Sequence, residues 1–154
     1  MFFCTSGALD RQHPGDFYDV KMLLDNDGIT DDIRKAFVVY LASHSRPMSE
    51  LLNPNWKDIT DIFKREFAGM TREPIQIEEL LVARDRMLKT IKRDLSAEDR
   101  QFLLSIKEGN PDWTALGIKN LDQLPGLQWK IANIRKMTAT KRQDALEKLK
   151  AVLD

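Results

Sequence analysis

The 154-residue sequence holds one cysteine, Cys4, so no disulfide can close within a single chain. A lone thiol suits a reducing compartment, and the expected location is the cytoplasm. Neither Cys4 nor the two histidines, His13 and His44, stand at zinc-ligand spacing, so no metal site is expected. The sequence has no run of about 18 apolar residues, which excludes a membrane-spanning helix within it. Phe2 and Phe3 lead too short an apolar run to serve as a signal peptide. Strand signals are missing as well. There is no sustained apolar–polar alternation and no Asn-Gly or Asp-Gly hairpin between β-branched runs. No internal repeat or low-complexity segment occurs. The formal net charge is zero, which argues against a dedicated nucleic-acid binder.

What remains is helical periodicity almost throughout, with 42% hydrophobic and 31% charged residues. The expected fold is all-α: a single domain of six or seven helices packed round one core, large enough to bury substantial apolar surface. Residues 14–154 form the expected helical domain, preceded by a segment at 1–13. The first helix starts at Pro14, where a missing N–H costs nothing. A second is capped by Thr30, with Asp31 and Asp32 in its first turn; Ile33, Phe37, Tyr40, Leu41 and His44 recur on one face. A third follows Pro54, where Trp56, Ile59, Phe63 and Phe67 form an apolar stripe, and Trp56, Phe63 and Phe67 are expected in the core. Gly69 fits a helix terminus. A fourth runs from about Ile77 to Leu95. Ser96 caps a fifth, with Asp99 completing a capping box and Phe102, Leu103 and Ile106 facing the core. Gly109-Asn110-Pro111 ends it. Two further stripes, Leu127/Ile131/Ile134 and Leu146/Leu149/Leu153, close the sequence.

The most informative stretch is Ala8 to Leu24. Asp16 and Asp19 are three residues apart and share one helical face. Phe17, Val20 and Leu24 run beside them as an anchoring stripe, and Arg11 is close by. Carboxylate pairs bind divalent cations or do acid–base work. This stretch resembles the last catalytic motif of the AbiEii/AbiGii-type nucleotidyltransferase toxins. The likeness continues through Leu23–Ala36 (LLDNDGITDDIRKA), Ser45–Pro54 (SRPMSELLNP), Phe67–Glu73 (FAGMTRE) and Gln101–Trp113 (QFLLSIKEGNPDW), so that it covers about residues 8 to 137. The resemblance implies catalytic carboxylates at Asp16 and Asp19 and a nucleotide-contacting cation at Arg11. For the complete enzyme it implies a nucleoside triphosphate and a divalent cation, and an antitoxin as partner in a bacterial toxin–antitoxin or abortive-infection module.

The family's Gly-Ser type nucleotide loop and its acidic strand residues have no counterpart in these 154 residues. No lysine precedes Lys21, and Gly15 stands where a basic residue is expected before the first Asp. The expectation is therefore a truncated or separated C-terminal half, inactive on its own, with no cofactor of its own and with Arg11, Asp16 and Asp19 as remnants of a motif. One alternative is an interaction module that completes a split enzyme with a separate N-terminal half.

A second alternative lies at the other end. Residues 1–83 carry 9 Lys/Arg against 14 Asp/Glu, whereas 84–154 carry 15 against 10. Trp129 stands beside Lys130, with Arg135 and Lys136 one to two turns on. Aromatics interleaved with cations bind nucleic acid through phosphate contact and base stacking, so this stretch is a candidate tRNA-binding surface. The bland reading is a solvated amphipathic helix. Arg84 falls within the fourth helix's apolar stripe, as a snorkelling stem or a cleft arginine. Finally, if a nucleotide-binding half is missing, Phe2, Phe3, Leu9, Phe17 and Val20 would be left uncovered. A homodimer is the expected remedy, and an N-terminal segment folding back over the stripe is the competing one.

Overall fold

A computed structural model of the chain describes residues 2–154, with side chains from Thr5 onward. All regular structure among the described residues is helical. Among the described residues nine α-helices occur: α1 (Phe2–Asp10), α2 (Pro14–Asn26), α3 (Asp31–Ser43), α4 (Met48–Leu52), α5 (Thr60–Ile62), α6 (Ile77–Asp94), α7 (Ala97–Glu108), α8 (Pro125–Lys136) and α9 (Ala139–Leu153). A π-helical turn (Phe63–Phe67) and a 3₁₀ turn (Leu121–Gln123) complete the set. The all-α class is as expected. The number of helices exceeds the six or seven expected, because α1 and the short α4 add to them. Among the described residues no helix is long and apolar enough to cross a membrane.

The helices gather into two compact units. The first comprises Met1–Arg34 and Pro54–Asp94, the second Lys35–Asn53 and Leu95–Asp154. In the first, α2 packs most extensively on α6 and next on α1. The α2 stripe of Phe17, Val20, Leu23 and Leu24 is buried, as are Leu80, Ala83, Met87 and Ile91 of α6. Spacings of three and four place each set on one helical face. In the second unit, α7 packs on α8 and α9, and α4 on α9. Phe102, Leu103 and Ile106 are fully buried there, and the Leu127 and Leu146 stripes are buried as their periodicity requires.

Local signals behave as their chemistry dictates. Ser96 and Asp99 form a reciprocal capping box, with Asp99 N donating to Ser96 Oγ (3.1 Å) and Ser96 N to Asp99 Oδ2 (2.9 Å). Thr138 caps α9 through Lys141 N, and Thr30 Oγ1 accepts from Ile33 N. Gly109 ends α7 at φ +78°, a left-handed conformation that glycine adopts without steric cost.

Three expectations are corrected. The segment before Pro14 is helical from Phe2 to Asp10, and only Arg11–His13 forms the turn. The expected long helix after Pro54 is absent. Residues 54–59 are non-helical, and a single α-turn leads into the π-turn, closed by Ala68 N donating to Phe63 O at 2.8 Å. The physical reason is competition for the backbone. Gln12 Oε1 accepts from Lys57 N (2.7 Å) and Gln12 Nε2 donates to Asn55 O (3.3 Å), which ties that strip to the start of α2 rather than into a helix of its own. Asp58 Oδ1 accepts from Thr60 N and Thr60 Oγ1, so the helix begins only there. As a result Ile59 and Phe67 are buried, whereas Trp56 and Phe63 are only partly so. Third, Leu9, Phe17 and Val20 are at most 1% exposed within one chain. These three residues are thus buried within a single chain and leave no apolar surface of their own for a homodimer to cover. The Phe2 and Phe3 side chains lie outside those described.

Candidate functional site

The site is built at the start of α2. His13 caps the helix, with its Nδ1 accepting from Gly15 N at 3.1 Å, and Pro14 sits at the first helical position. The His13 Nε2 lies 3.2 Å from Glu66 Oε2, which fixes the ring. This is a structural role that the sequence did not reveal, although Pro at the first helical position points to a cap just before it. Asp16 then falls in the first turn, where a carboxylate is favoured by the helix dipole.

Asp16 is 6% exposed. One oxygen, Oδ1, is 2.5 Å from Nη2 of Arg11, whose own side chain is largely in solvent. The other, Oδ2, is buried and has no hydrogen-bond partner among the described residues. A buried carboxylate oxygen without a donor is costly. It marks a place where a cation or a donor from another molecule would be stabilising. Space for the ion pair comes from Gly7 of α1. A Cβ there would lie 2.9 Å from Asp16 Oδ1 and 3.1 Å from Arg11 Nη2. The sequence joins Arg11, Asp16 and Asp19 by proximity; the role of Gly7 needed the packing of α1 on α2.

Asp19 is one turn further along and is exposed overall. Loss of solvent around its carboxyl group raises its pKa above 3.8, and the nearby Asp16 charge raises it further. The native state thus holds this proton more tightly than the unfolded chain does. Stability from Asp19 falls as pH rises from 3.8 through the raised native value. Asp19→Asn is therefore expected to raise the melting temperature at neutral pH, with the difference vanishing below the unfolded carboxylate pKa. A thermal series across pH checks this, and a lower melting temperature at pH 7 would contradict it.

No group of three or more His, Cys, Asp or Glu side chains able to hold a metal occurs among the described residues. Asp16 and Asp19 alone are an incomplete cage. Magnesium, however, is commonly held by one or two carboxylates together with substrate phosphates. The orphaned Asp16 Oδ2 fits that supporting role.

The candidates near the C-terminus differ in exposure. Trp129 is 51% exposed. Lys130, its neighbour, is buried, and its Nζ donates to His44 O (2.8 Å) and Arg46 O (2.9 Å) just past the end of α3. An ammonium is favourable there because it satisfies carbonyls the helix leaves open. Lys130 is therefore not a freely solvated cation beside Trp129, since two of its donors are engaged by backbone carbonyls. Arg135 Nε donates to Gly109 O at 3.1 Å while remaining exposed, and Lys136 is exposed. In the first unit, Arg84 lies 4.6 Å over the Trp56 ring and pairs with Asp85 at 2.9 Å. Its charge is held by an aromatic face and a neighbouring carboxylate, which settles between snorkelling and pairing in favour of pairing.

Fold and site together define an all-helical protein with a buried carboxylate at a helix start and a second carboxylate one turn on. The family model for the nucleotidyl transferase AbiEii toxin of type IV toxin–antitoxin systems matches residues 3–133. The chain belongs to that family. No curated protein and no solved structure matches it.

Proposed function

We propose that the chain supplies the helical part of an AbiEii-type nucleotidyltransferase toxin and has no transferase activity alone. The observation that carries this is the Asp16–Asp19 face: a buried carboxylate with a free oxygen, repelling a second carboxylate one turn away. When bound, a divalent cation would neutralise triphosphate charge and align the attacking hydroxyl. This chain's own groups do the rest of what it can do. Asp16 is held rigid by burial and by Arg11, and Asp19 is poised to gain from any cation that relieves its repulsion. Arg11, exposed beside Asp16, is available to exchange that carboxylate for a phosphate oxygen.

The nucleotide loop and acidic strand residues belong, in this reading, to a nucleotide-binding half provided separately. Most of the positioning and electrostatic stabilisation that such chemistry needs would reside there. An antitoxin is the partner the family implies, and tRNA is the proposed acceptor class. The expected result is that the purified chain, given radiolabelled nucleoside triphosphates, magnesium and tRNA, labels nothing. Metal-dependent labelling that disappears in Asp16→Ala would show instead that the chain is a complete enzyme.

A further inference from the structure

The second unit contains a pocket of about 610 Å³ bounded by α4, α7, α8 and α9. Its size falls in the range of small-molecule sites. At its wall is Lys107, in the last turn of α7, only 6% exposed. The Lys107 ammonium makes no hydrogen bond and no ion pair with any described residue. An ammonium at the end of a largely buried side chain, with no partner in the protein, is stabilised only by what the pocket admits to it, and an anion there would be favourable. Burial pulls the Lys107 pKa down accordingly.

Lys130 lines the same pocket and is also buried. Two of its three donors are engaged by the His44 and Arg46 carbonyls, which leaves one. Its pKa is pushed down to about 8, by burial first and then by the Lys107 charge. The two ammonium groups thus sense one another. Lys141 and Lys148 of α9 add positive charge to the lining, against the carboxylates of Glu50 and Asp144. Glu50 is itself engaged by Arg46, at 3.9 Å. Trp129, half in solvent, contributes an aromatic face.

We propose that this pocket binds a phosphate ester of mononucleotide size, with its phosphate against Lys107 and Lys130 and its planar ring on Trp129. A phosphate dianion supplies acceptor oxygens for the Lys107 ammonium and for the one donor that Lys130 has left. An aromatic ring accepts any base by stacking, which makes the site tolerant of base identity. Every residue invoked belongs to the second unit, whereas Asp16 and Asp19 belong to the first. The proposal therefore stands or falls independently of the transferase reading.

Calorimetric titration of the full chain with AMP, inorganic phosphate and adenosine provides the test. AMP is expected to bind tightest, phosphate more weakly, and adenosine not measurably. Lys107→Met replaces a buried charge with an apolar chain of similar length and is expected to fold. It should weaken AMP binding by about tenfold or more. Trp129→Ala should reduce AMP affinity toward that of phosphate alone and leave phosphate binding unchanged. Lys148→Ala, at an exposed position, should weaken both anions several-fold, and it decides the matter if Lys107→Met does not fold. Absence of AMP binding up to about 10 mM, adenosine binding as well as AMP, or anion affinity unchanged in the lysine variants would each overturn the proposal.

Discussion

Replacing Phe102 with alanine is expected to lower the unfolding free energy by about 3–5 kcal/mol. Phe102 lies in the middle of α7 and is fully buried, as are its neighbours Leu103 and Ile106 on the same helix. Truncation removes the transfer free energy of a whole ring. It also leaves a void that surrounding helices fill only in part. Phe63 makes the informative control. Its sequence spacing places it in a core stripe, but its side chain is only partly buried and its ring meets Phe67 with centroids 5.7 Å apart. Phe63→Ala should therefore cost clearly less than Phe102→Ala. Urea unfolding followed by circular dichroism would measure both. A Phe102→Ala effect below about 1 kcal/mol, or an equal loss for Phe63→Ala, would mean that Phe102 is not more deeply buried than Phe63.

The contrast between Phe102 and Phe63 shows what could be read from sequence. Where a helix is fixed by its own first turn, the reading is sound. Ser96 and Asp99 satisfy one another across three residues, and the Phe102 face follows from the period. The same holds for Thr138 and the Leu146 stripe. Phe63 fails for a different reason. Its helix is cut short by Gln12, whose bonds to Asn55 and Lys57 span more than forty positions. Periodicity carries no information about a partner so distant. Lys130 is the same case in the candidate sites. Its position beside Trp129 suggests an exposed cation, yet its ammonium is captured by carbonyls 84 and 86 residues away. Helix α1 is not legible in the sequence because Thr5, Ser6 and Gly7 are weak helix formers, and packing of α1 on α2 overrides that preference. Arg11, Asp16 and Asp19, by contrast, were legible together because their relation is local.

Gly7 is where that local site depends on a packing detail. In an ordinary helix interior, Gly→Ala is stabilising by about 1 kcal/mol, since alanine loses less backbone freedom on folding. Gly7 lies within α1 and has no positive φ, so the backbone would accept alanine. The added Cβ, however, would sit 2.9 Å from Asp16 Oδ1, 3.1 Å from Asp16 Cγ and 3.1 Å from Arg11 Nη2. Arg11 can swing into solvent. Asp16 cannot follow, because it is buried in the first turn of α2 and its other oxygen already lacks a donor. Displacing it would strain the helix pair or separate the carboxylate from its counter-charge. Overpacking of this kind costs about 1–3 kcal/mol, which outweighs the propensity gain. Gly7→Ala is therefore expected to destabilise by about 1–2 kcal/mol. The sign should reverse when Asp16 is also replaced by alanine, because the clash and the buried charge disappear together. A double-mutant cycle in urea isolates this coupling. If Gly7→Ala stabilised the otherwise unaltered chain, Asp16 would have to be free to move. The buried, pre-positioned carboxylate on which the transferase reading rests would then be lost.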